Sequence, residues 1–247
     1  MSYSLPNVPG NWKPPIISQT SISIRLDELL GDIHLSNGEW EVDLNGMYSA
    51  AVAEVADLVP GELLVDYSKP PAILSVADDS IYVTGHKVLY VRRQMNLLYA
   101  DGPYYECREV TLAEFQKANV NVDGAISIYA PTAETPIYVI SPFNGRPTLQ
   151  ILPLPEAGIA ESQGEVFLFQ YPTALPDANE PNVEGMPLQL VQAVLLRTAT
   201  HVLNAYLAWA VHEEEDNEIV ALVSAQIQAY QSAYQAEMKR FMEGASE

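Results

Sequence analysis

The positions of hydrophobic residues predict a β-rich middle of the chain. Short runs rich in Val, Ile, Tyr and Phe, separated by turn residues, recur from residue 73 to residue 172. This pattern is typical of an antiparallel sheet or a small barrel. The predicted strands are 73–77, 80–85, 87–94, 103–110, 125–130, 136–141, 147–154 and 165–172. The alternation of Ile22, Ile24 and Leu26 predicts one more strand over residues 21–26.

Two local signals add detail to this middle region. Asn144-Gly145 tolerates the positive φ angles of a tight turn, so we predict a β-hairpin over residues 136–154. Thr111 and Glu114 have the spacing of a capping box, in which a hydroxyl and a carboxylate each accept a hydrogen bond from a free backbone amide. They predict a helix of one or two turns.

Apolar residues three and four positions apart predict three longer helices. The first covers residues 46–58, with Asn45 as its cap and Pro60-Gly61 as its end. Its predicted apolar side comprises Met47, Ala51, Val55 and Leu58. The other two helices, residues 188–211 and 217–241, form a C-terminal hairpin. The predicted seam of the last helix is Val220, Val223, Ile227, Tyr230, Tyr234 and Phe241.

The helix predicted over residues 188–211 is apolar on more than one face. Besides its main stripe it carries a second set of leucines, namely Leu190, Leu196, Leu203 and Leu207. One partner helix covers one face only, so we expect further cover from the β part of the chain or from a neighbouring subunit. We therefore take these four leucines as candidates for a subunit interface.

Residues 1–20 are predicted to be an extended, proline-rich arm rather than a helix. The arm is either a solvated tail or a segment that docks on another subunit. A solvated tail has little use for large apolar side chains, which makes Trp12, Ile16 and Ile17 further interface candidates.

Together these elements predict an α+β fold. It has an antiparallel β-sheet or small barrel in the middle of the chain, a short N-terminal helix, and a C-terminal two-helix hairpin that packs with that helix. The expected divisions are an arm (1–20), a β-rich domain with short helices (21–172), a connector (173–187) and the helical hairpin (188–247).

The charge of the chain limits the choice of partners. Twelve Lys and Arg residues against 32 Asp and Glu residues give a net charge of −20, which argues against a protein that binds nucleic acid through a basic surface. Cys107 is the only cysteine, so the chain forms no internal disulfide and suits a reducing compartment. We also expect a soluble chain with no targeting or membrane-spanning segment.

Acidic residues are concentrated towards the C-terminal hairpin. Residues 156–218 hold eleven of them, and Arg197 is the one Lys or Arg in that stretch. Such a surface either keeps monomers apart or lines a conduit through which a polyanion slides without adhering. The candidates for lining a channel are Glu213, Glu214, Glu215 and Asp216. A solvated turn is the simpler interpretation of this run, and a metal site with His212 is the other.

No catalytic or cofactor motif is found in the sequence. It lacks a Gly-x-Ser-x-Gly elbow, a His-Glu-x-x-His zinc motif, a phosphate-binding P-loop and a glycine-rich dinucleotide fingerprint. The paired Arg92-Arg93 are interpreted as an exposed strand end, and His201 as a packing residue. We therefore expect no enzymatic activity and no cofactor. A hydrolase with paired carboxylates stays open as an alternative, because a sequence does not give the distances between acids.

The order of the segments over roughly residues 40–242 is the basis of a resemblance to a known family. After a capped helix and a β middle come a strand of the type TLQILPLP and a strand EVFLFQYP. Two helical segments follow, MPLQLVQAVLLRTATHVLNA and AQIQAYQSAYQAEMKRF, joined by the acid-rich turn. Tyr230 and Tyr234 lie four residues apart in the second. This layout resembles the head-to-tail adaptor (neck) proteins of tailed bacteriophages, although the long proline-rich N-terminus departs from that family.

The resemblance implies a virion structural protein of the phage neck, assembled in the host cytoplasm. Its partners would be further copies in a ring, commonly of twelve subunits, the portal protein, and a tail or nozzle protein. DNA would pass through without specific binding, and the family has no catalytic residues and no cofactor. The alternatives are another neck protein, such as a stopper or tail-completion protein, and a monomeric β-rich binding module, which would explain the 14 tyrosines.

Overall fold

The fold is known from a computed structural model that describes most of the chain. The described residues are 21–31, 42–75, 80–94, 103–119, 130–132, 134–154, 163–176, 180, 182–213 and 217–244. Their helices are α1 (Ile22–Leu30), α2 (Leu44–Leu58), α3 (Glu62–Val65), α4 (Leu112–Asn119), α5 (Leu188–Glu213) and α6 (Asn217–Gly244). Their strands are β1 (Ala72–Leu74), β2 (Ser80–Tyr82), β3 (His86–Gln94), β4 (Tyr104–Glu106), β5 (Arg108–Glu109), β6 (Ile137–Phe143), β7 (Arg146–Leu152) and β8 (Gly164–Gln170).

The predicted α+β class is confirmed, and the strands form two four-stranded sheets. The first sheet has the order β1-β8-β3-β4 and is antiparallel throughout. The second has the order β2-β7-β6-β5, in which β5 runs parallel to β6. Neither sheet closes into a barrel in the described part of the chain. The predicted strand 125–130 lies outside the described residues, apart from Ala130.

The two sheets share a hydrophobic core. Val91 and Val166 of the first sheet pack in one cluster with Leu149 and Ile151 of the second. Cys107 belongs to the same cluster and separates β4 from β5, so the single strand predicted over 103–110 crosses from one sheet to the other. The Cys107 amide donates to the carbonyl of Val91, N···O 2.9 Å, which pins this crossing.

The predicted hairpin is formed by β6 and β7. Asn144 and Gly145 occupy its turn with φ angles of 51° and 75°, and Phe143 pairs with Arg146 beside them. Positive φ at both central positions is the requirement that Asn-Gly meets with little strain. The hairpin therefore follows from local backbone preference as well as from burial.

The capping box at the start of α4 is also confirmed. The Thr111 amide donates to Glu114 Oε2 at 2.9 Å, and the Glu114 amide donates to Thr111 Oγ1 at 3.3 Å. The bonds that the Thr111 amide and hydroxyl donate to the carboxylate lower the pKa of Glu114. The helix spans about two turns and packs Phe115 against Ile137 and Leu152 of the second sheet.

Helix α5 lies at the centre of the helical part. It packs against α1, α2 and α6, so its apolar residues are covered on several faces by the chain itself. The prediction that α5 and α6 form a hairpin is confirmed, and α5 packs against α2. On α6, Val223 and Ile227 of the predicted seam are buried, and Met238 joins them.

The strand predicted over residues 21–26 is wrong, because these residues begin α1. Ile22, Leu26 and Leu30 are buried, and their spacing of four residues places them on one helical face. Ser21 caps the helix by accepting a bond from the Ile24 amide. The spacing of Ile22 and Leu26 fits the two-residue period of a strand as well as the 3.6-residue period of a helix. Packing against α5 selects the helix.

Helix α2 begins two residues earlier than predicted. Its cap is Asp43, whose Oδ1 accepts from the Gly46 amide at 2.9 Å, whereas Asn45 accepts from the Leu175 amide and ties the connector to the helix. The buried face is Tyr48, Ala51, Val52, Val55 and Ala56. Leu58, predicted to be on that face, is 61% exposed because the helix is rotated towards Tyr48 and Val52.

A lysine from the first sheet holds the C-terminal end of α2. Lys87 Nζ donates to the carbonyls of Ala56 and Val59, each at 2.6 Å. A cation suits this position because the last carbonyls of a helix carry partial negative charge. Partial burial lowers the pKa of Lys87. The helical part and the first sheet are thus joined by bonds to backbone as well as by apolar packing.

Arg93 is buried, so the interpretation of Arg92-Arg93 as an exposed strand end is wrong for this residue. Its side chain is 1% exposed. The guanidinium donates to four backbone carbonyls at 2.5–3.1 Å, those of Gln94, Pro153, Leu154 and Gln163. These acceptors lie at the end of β3, just beyond β7 and just before β8, so one cation joins three strand ends.

We expect Arg93→Met to destabilise the fold by about 3 kcal/mol or more. The variant removes the charge and the donor from the carbonyls of Gln94, Pro153 and Leu154, and each such loss costs about 1–3 kcal/mol where the carbonyl stays buried. The Gln163 carbonyl keeps the Gln94 amide as a donor. Urea unfolding followed by circular dichroism measures the difference. Arg146→Met, at the exposed tip of the β6–β7 hairpin, is the matched control and should change the midpoint little. Equal midpoints for the two variants would contradict a structural role of Arg93.

Candidate functional site

The predicted interface leucines are covered within the chain. Leu190 and Leu203 are 0% exposed and Leu196 is 5% exposed, while Leu207 is partly buried against the core around α5. The expectation that Leu190, Leu196 and Leu203 contact another subunit is therefore corrected. Helices α1, α2 and α6 supply the cover that the multi-sided pattern requires.

The other predicted site residues are not placed by the structure. Trp12, Ile16 and Ile17 lie outside the described residues, and so do Glu214, Glu215 and Asp216. Glu213 is the last residue of α5. Their assignments to a subunit interface and to a channel wall stay predictions.

The described residues show no built centre for metal or thiol chemistry. No group of three or more His, Cys, Asp or Glu side chains there could hold a metal ion. Cys107 is buried, and burial raises the pKa of its thiol to about 12, so it is a poor nucleophile near neutral pH. No helix in this part of the chain is long and apolar enough to cross a membrane.

Charged side chains of α2 and α5 meet beside α6. Arg197 Nε donates to Glu54 Oε2, and the Arg197 guanidinium lies 5.7 Å from the ring centre of Tyr234. His201 Nε2 lies 3.3 Å from Glu54 Oε1, a contact that becomes an ion pair only when the imidazole is protonated. The predicted packing role of His201 agrees with this position. The cluster ties three helices together across the centre of the fold.

Burial lowers the pKa of His201 below its ordinary value. The nearby Glu54 carboxylate acts in the opposite direction, and the Arg197 guanidinium lowers the pKa further. The neutral imidazole is therefore the form that the folded chain prefers. The protonation of His201 is therefore coupled to the packing of these helices.

A second cluster, the Arg92 patch, lies on the face of the first sheet opposite the core that this sheet shares with the second sheet. The Arg92 guanidinium lies 4.2 Å from the ring centre of Tyr104 and 5.2 Å from that of Phe167. Arg92 Nε and the Tyr104 hydroxyl both donate to Glu165, at 2.6 and 2.8 Å. Rings and a guanidinium held in fixed positions are typical of residues that contribute most to protein interfaces. Ile73, which pairs with Glu165, adds an exposed apolar side chain to this patch.

The turn end of the α5–α6 hairpin carries exposed apolar residues. Val211, near the end of α5, is 58% exposed, and Leu222, near the start of α6, is 66% exposed. Both flank the acid-rich turn. These two side chains are candidates for contact with another protein, because they are not needed by the core.

A pocket of about 550 Å³, which we call the connector pocket, lies where α2, the end of β8 and the following connector meet. Its apolar lining includes Tyr48, Phe169, Tyr171, Pro172 and Pro176. Its charged lining residues are Lys69, Glu180 and Glu184. Lys69 Nζ lies 3.0 Å from Glu184 Oε1, so Glu180 is the acid that this pair leaves uncompensated at the rim. The pocket can accept an apolar ligand that presents a cation at its edge.

The hydroxyl of Tyr48 has no hydrogen-bond partner within the described part of the chain. The side chain is fully buried and lines the connector pocket. Burial raises the pKa of this phenol, so the group stays neutral and able to donate. A buried hydroxyl without a partner is costly, which indicates that a ligand group or water completes it.

Sequence patterns did not identify the Arg92 patch or the connector pocket. The patch depends on Glu165 lying opposite Arg92 across β3 and β8, 73 positions apart in sequence. A proline-rich connector next to a strand of aromatic residues was the one available signal for the pocket. Comparison of the sequence with protein-family models and with curated proteins finds no match.

We expect His201→Gln to flatten the pH dependence of stability below about pH 6.5. Because folding lowers the pKa of His201 below 6.5, the unfolded chain binds the proton more tightly. Stability is therefore full above pH 6.5 and falls as the pH drops below it. Thermal unfolding at three pH values measures the slope. A slope that is unchanged in His201→Gln would contradict the assignment.

Proposed function

We propose that this chain is a non-enzymatic structural protein of a tailed-bacteriophage virion, a head-to-tail adaptor of the neck. Its copies form a ring that docks on the portal, extends the DNA channel and presents the surface to which a tail or nozzle protein binds. Its place is the neck of the virion, after assembly in the host cytoplasm. The role is mechanical, and it needs no catalytic residue and no cofactor.

The order of the elements is the observation that supports this proposal. A capped helix, β2 to β7 with their hairpin, β8, a proline-rich connector and a long helical pair follow one another as the resemblance to neck proteins expects. The helices form one unit around α5, and the first sheet packs between this unit and the second sheet. This arrangement suits a subunit that contacts different partners through a helical part and a β part.

The charge of the chain supports the same proposal. A conduit for DNA must not retain it, and a chain of net charge −20 repels phosphate. Several cations are occupied within the fold: Lys87 and Arg93 bind carbonyls, and Arg92 and Arg197 pair with glutamates. Glu213, Glu214, Glu215 and Asp216 are the proposed channel-lining residues.

The direct test is assembly with the portal protein of the same virus. We expect negative-stain electron micrographs of the mixture to show rings of this chain attached to one end of the portal. Light scattering should show the corresponding increase in mass. A chain that stays monomeric and binds neither portal nor tail protein would contradict the adaptor function. Binding only to a ring already attached to the portal would favour a stopper instead.

We expect Val211→Asp with Leu222→Asp to prevent attachment to the neck while leaving the fold intact. Both side chains are exposed, so the charges do not enter the core, yet they remove the apolar contact area at the hairpin end. Circular dichroism checks the fold, and co-sedimentation with portal checks attachment. Leu112→Asp, an exposed leucine on α4, is the matched control. Attachment of the double variant at parent level would show that this end faces away from the partner.

The monomeric binding module is the second candidate, and the connector pocket is the observation that favours it. A pocket of about 550 Å³ is of the size that ligand sites have in proteins. Light scattering separates the two candidates, because a binding module stays monomeric in the presence of the portal.

A further inference from the structure

The connector pocket is incomplete in a specific way. Aromatic and proline rings form its walls, and the buried hydroxyl of Tyr48 is a donor without an acceptor. At the rim Glu180 carries a charge that the Lys69–Glu184 pair leaves uncompensated. An occupant that fits would be apolar and extended, would offer a carbonyl group, and would carry one positive charge.

The N-terminal arm, residues 1–20, joins the described fold at the rim of this pocket. The amide of Ile22 donates to the carbonyl of Glu180, N···O 3.2 Å, and Glu180 lines the pocket. Ser21, the residue joined to the arm 1–20, is 3% exposed beside it. The arm therefore leaves the described fold at the edge of the pocket, with 20 residues available to reach into it.

The composition of the arm matches the lining of the pocket. It contains four prolines, and Trp12, Ile16 and Ile17 supply large apolar side chains. Lys13 is its only charged side chain, opposite in sign to Glu180. Proline-rich segments adopt an extended helix whose carbonyls make no internal hydrogen bonds, and aromatic-lined grooves bind such segments. A segment of this kind therefore offers free carbonyls, which are the acceptors that the Tyr48 hydroxyl needs.

We propose that residues 5–17 of the arm dock in the connector pocket of the same chain. In an extended helix each residue advances about 3.1 Å, so the seven residues from Ser21 back to Pro14 span about 20 Å, enough to cross the pocket. The tether keeps the arm at a high effective concentration near the pocket, which favours its own chain over a second copy. This inference stands independently of the adaptor function.

The experiment uses the chain without residues 2–18 and a fluorescently labelled peptide of residues 1–18. We expect the peptide to bind the shortened chain, and to bind the full chain at least tenfold more weakly because the attached arm occupies the pocket. Fluorescence anisotropy measures both affinities. A peptide with its four prolines replaced by alanine is the control and should bind more weakly, since its extended form is no longer favoured.

Replacement of Tyr48 tests the contact within the pocket. In the shortened chain Tyr48→Phe should weaken peptide binding roughly three- to tenfold, the loss of one hydrogen bond, with an unchanged circular dichroism spectrum. Tyr82→Phe, an exposed tyrosine of the second sheet, should leave binding unchanged. No binding of the peptide, or no effect of Tyr48→Phe, would overturn the proposal.

Two further outcomes identify a different occupant. Equal affinity of the peptide for the full and the shortened chain would mean that the arm leaves the pocket free, and the proposal would fail. A full chain that is oligomeric, and becomes monomeric when residues 2–18 are removed, would show that the arm docks on a neighbouring copy instead. Neither outcome depends on whether the protein binds a portal.

Discussion

The burial of α5 on several faces is the constraint on which the rest of the structure depends. A helix apolar on more than one side is stable in water only when several elements cover it, and here α1, α2 and α6 do so. Its buried polar residues are satisfied locally, since Thr198 and Thr200 donate to carbonyls four residues earlier. Helices α6 and α1 are also joined directly, because the Tyr230 hydroxyl of α6 donates to the carbonyl of Leu29 at the end of α1.

The β part is attached to this helical unit by apolar packing and by a cation that binds backbone carbonyls. Lys87 joins the first sheet to the end of α2, and Phe169 of the same sheet lies in the core around α5. Arg93 then holds the ends of neighbouring strands together. A chain with only 12 basic residues thus uses several of them internally, which leaves an acidic surface. Structure and proposed function are linked here, because that surface is the one expected of a DNA conduit.

The candidate contact surfaces lie where the core has no need of apolar groups. Val211 and Leu222 at the hairpin end, the Arg92 patch on the first sheet and the connector pocket are separate places on the fold. A subunit held between other proteins requires several such surfaces. The connector pocket differs from the other two surfaces in its proposed occupant. The unpartnered Tyr48 hydroxyl and the position of the pocket beside Ser21 favour the N-terminal arm of the same chain.

The sequence by itself determined those features that depend on neighbouring residues. Asn144-Gly145 fixed a hairpin and Thr111 with Glu114 fixed a helix start, because backbone conformation and capping act over a few residues. The ends of α5 and α6 followed from periodicity to within about three residues. Net charge and the single cysteine needed no structure.

Only the tertiary structure decided the rest, because the deciding contacts join residues far apart in the chain. Ile22 and Leu26 fit a strand or a helix equally well, and their packing on α5 selected the helix. Arg93 carried no sign of burial until carbonyls some 60–70 positions away surrounded it. The leucines of α5 predicted a need for cover, but a pattern of apolar residues does not state whose side chains provide it, and here the chain provides its own.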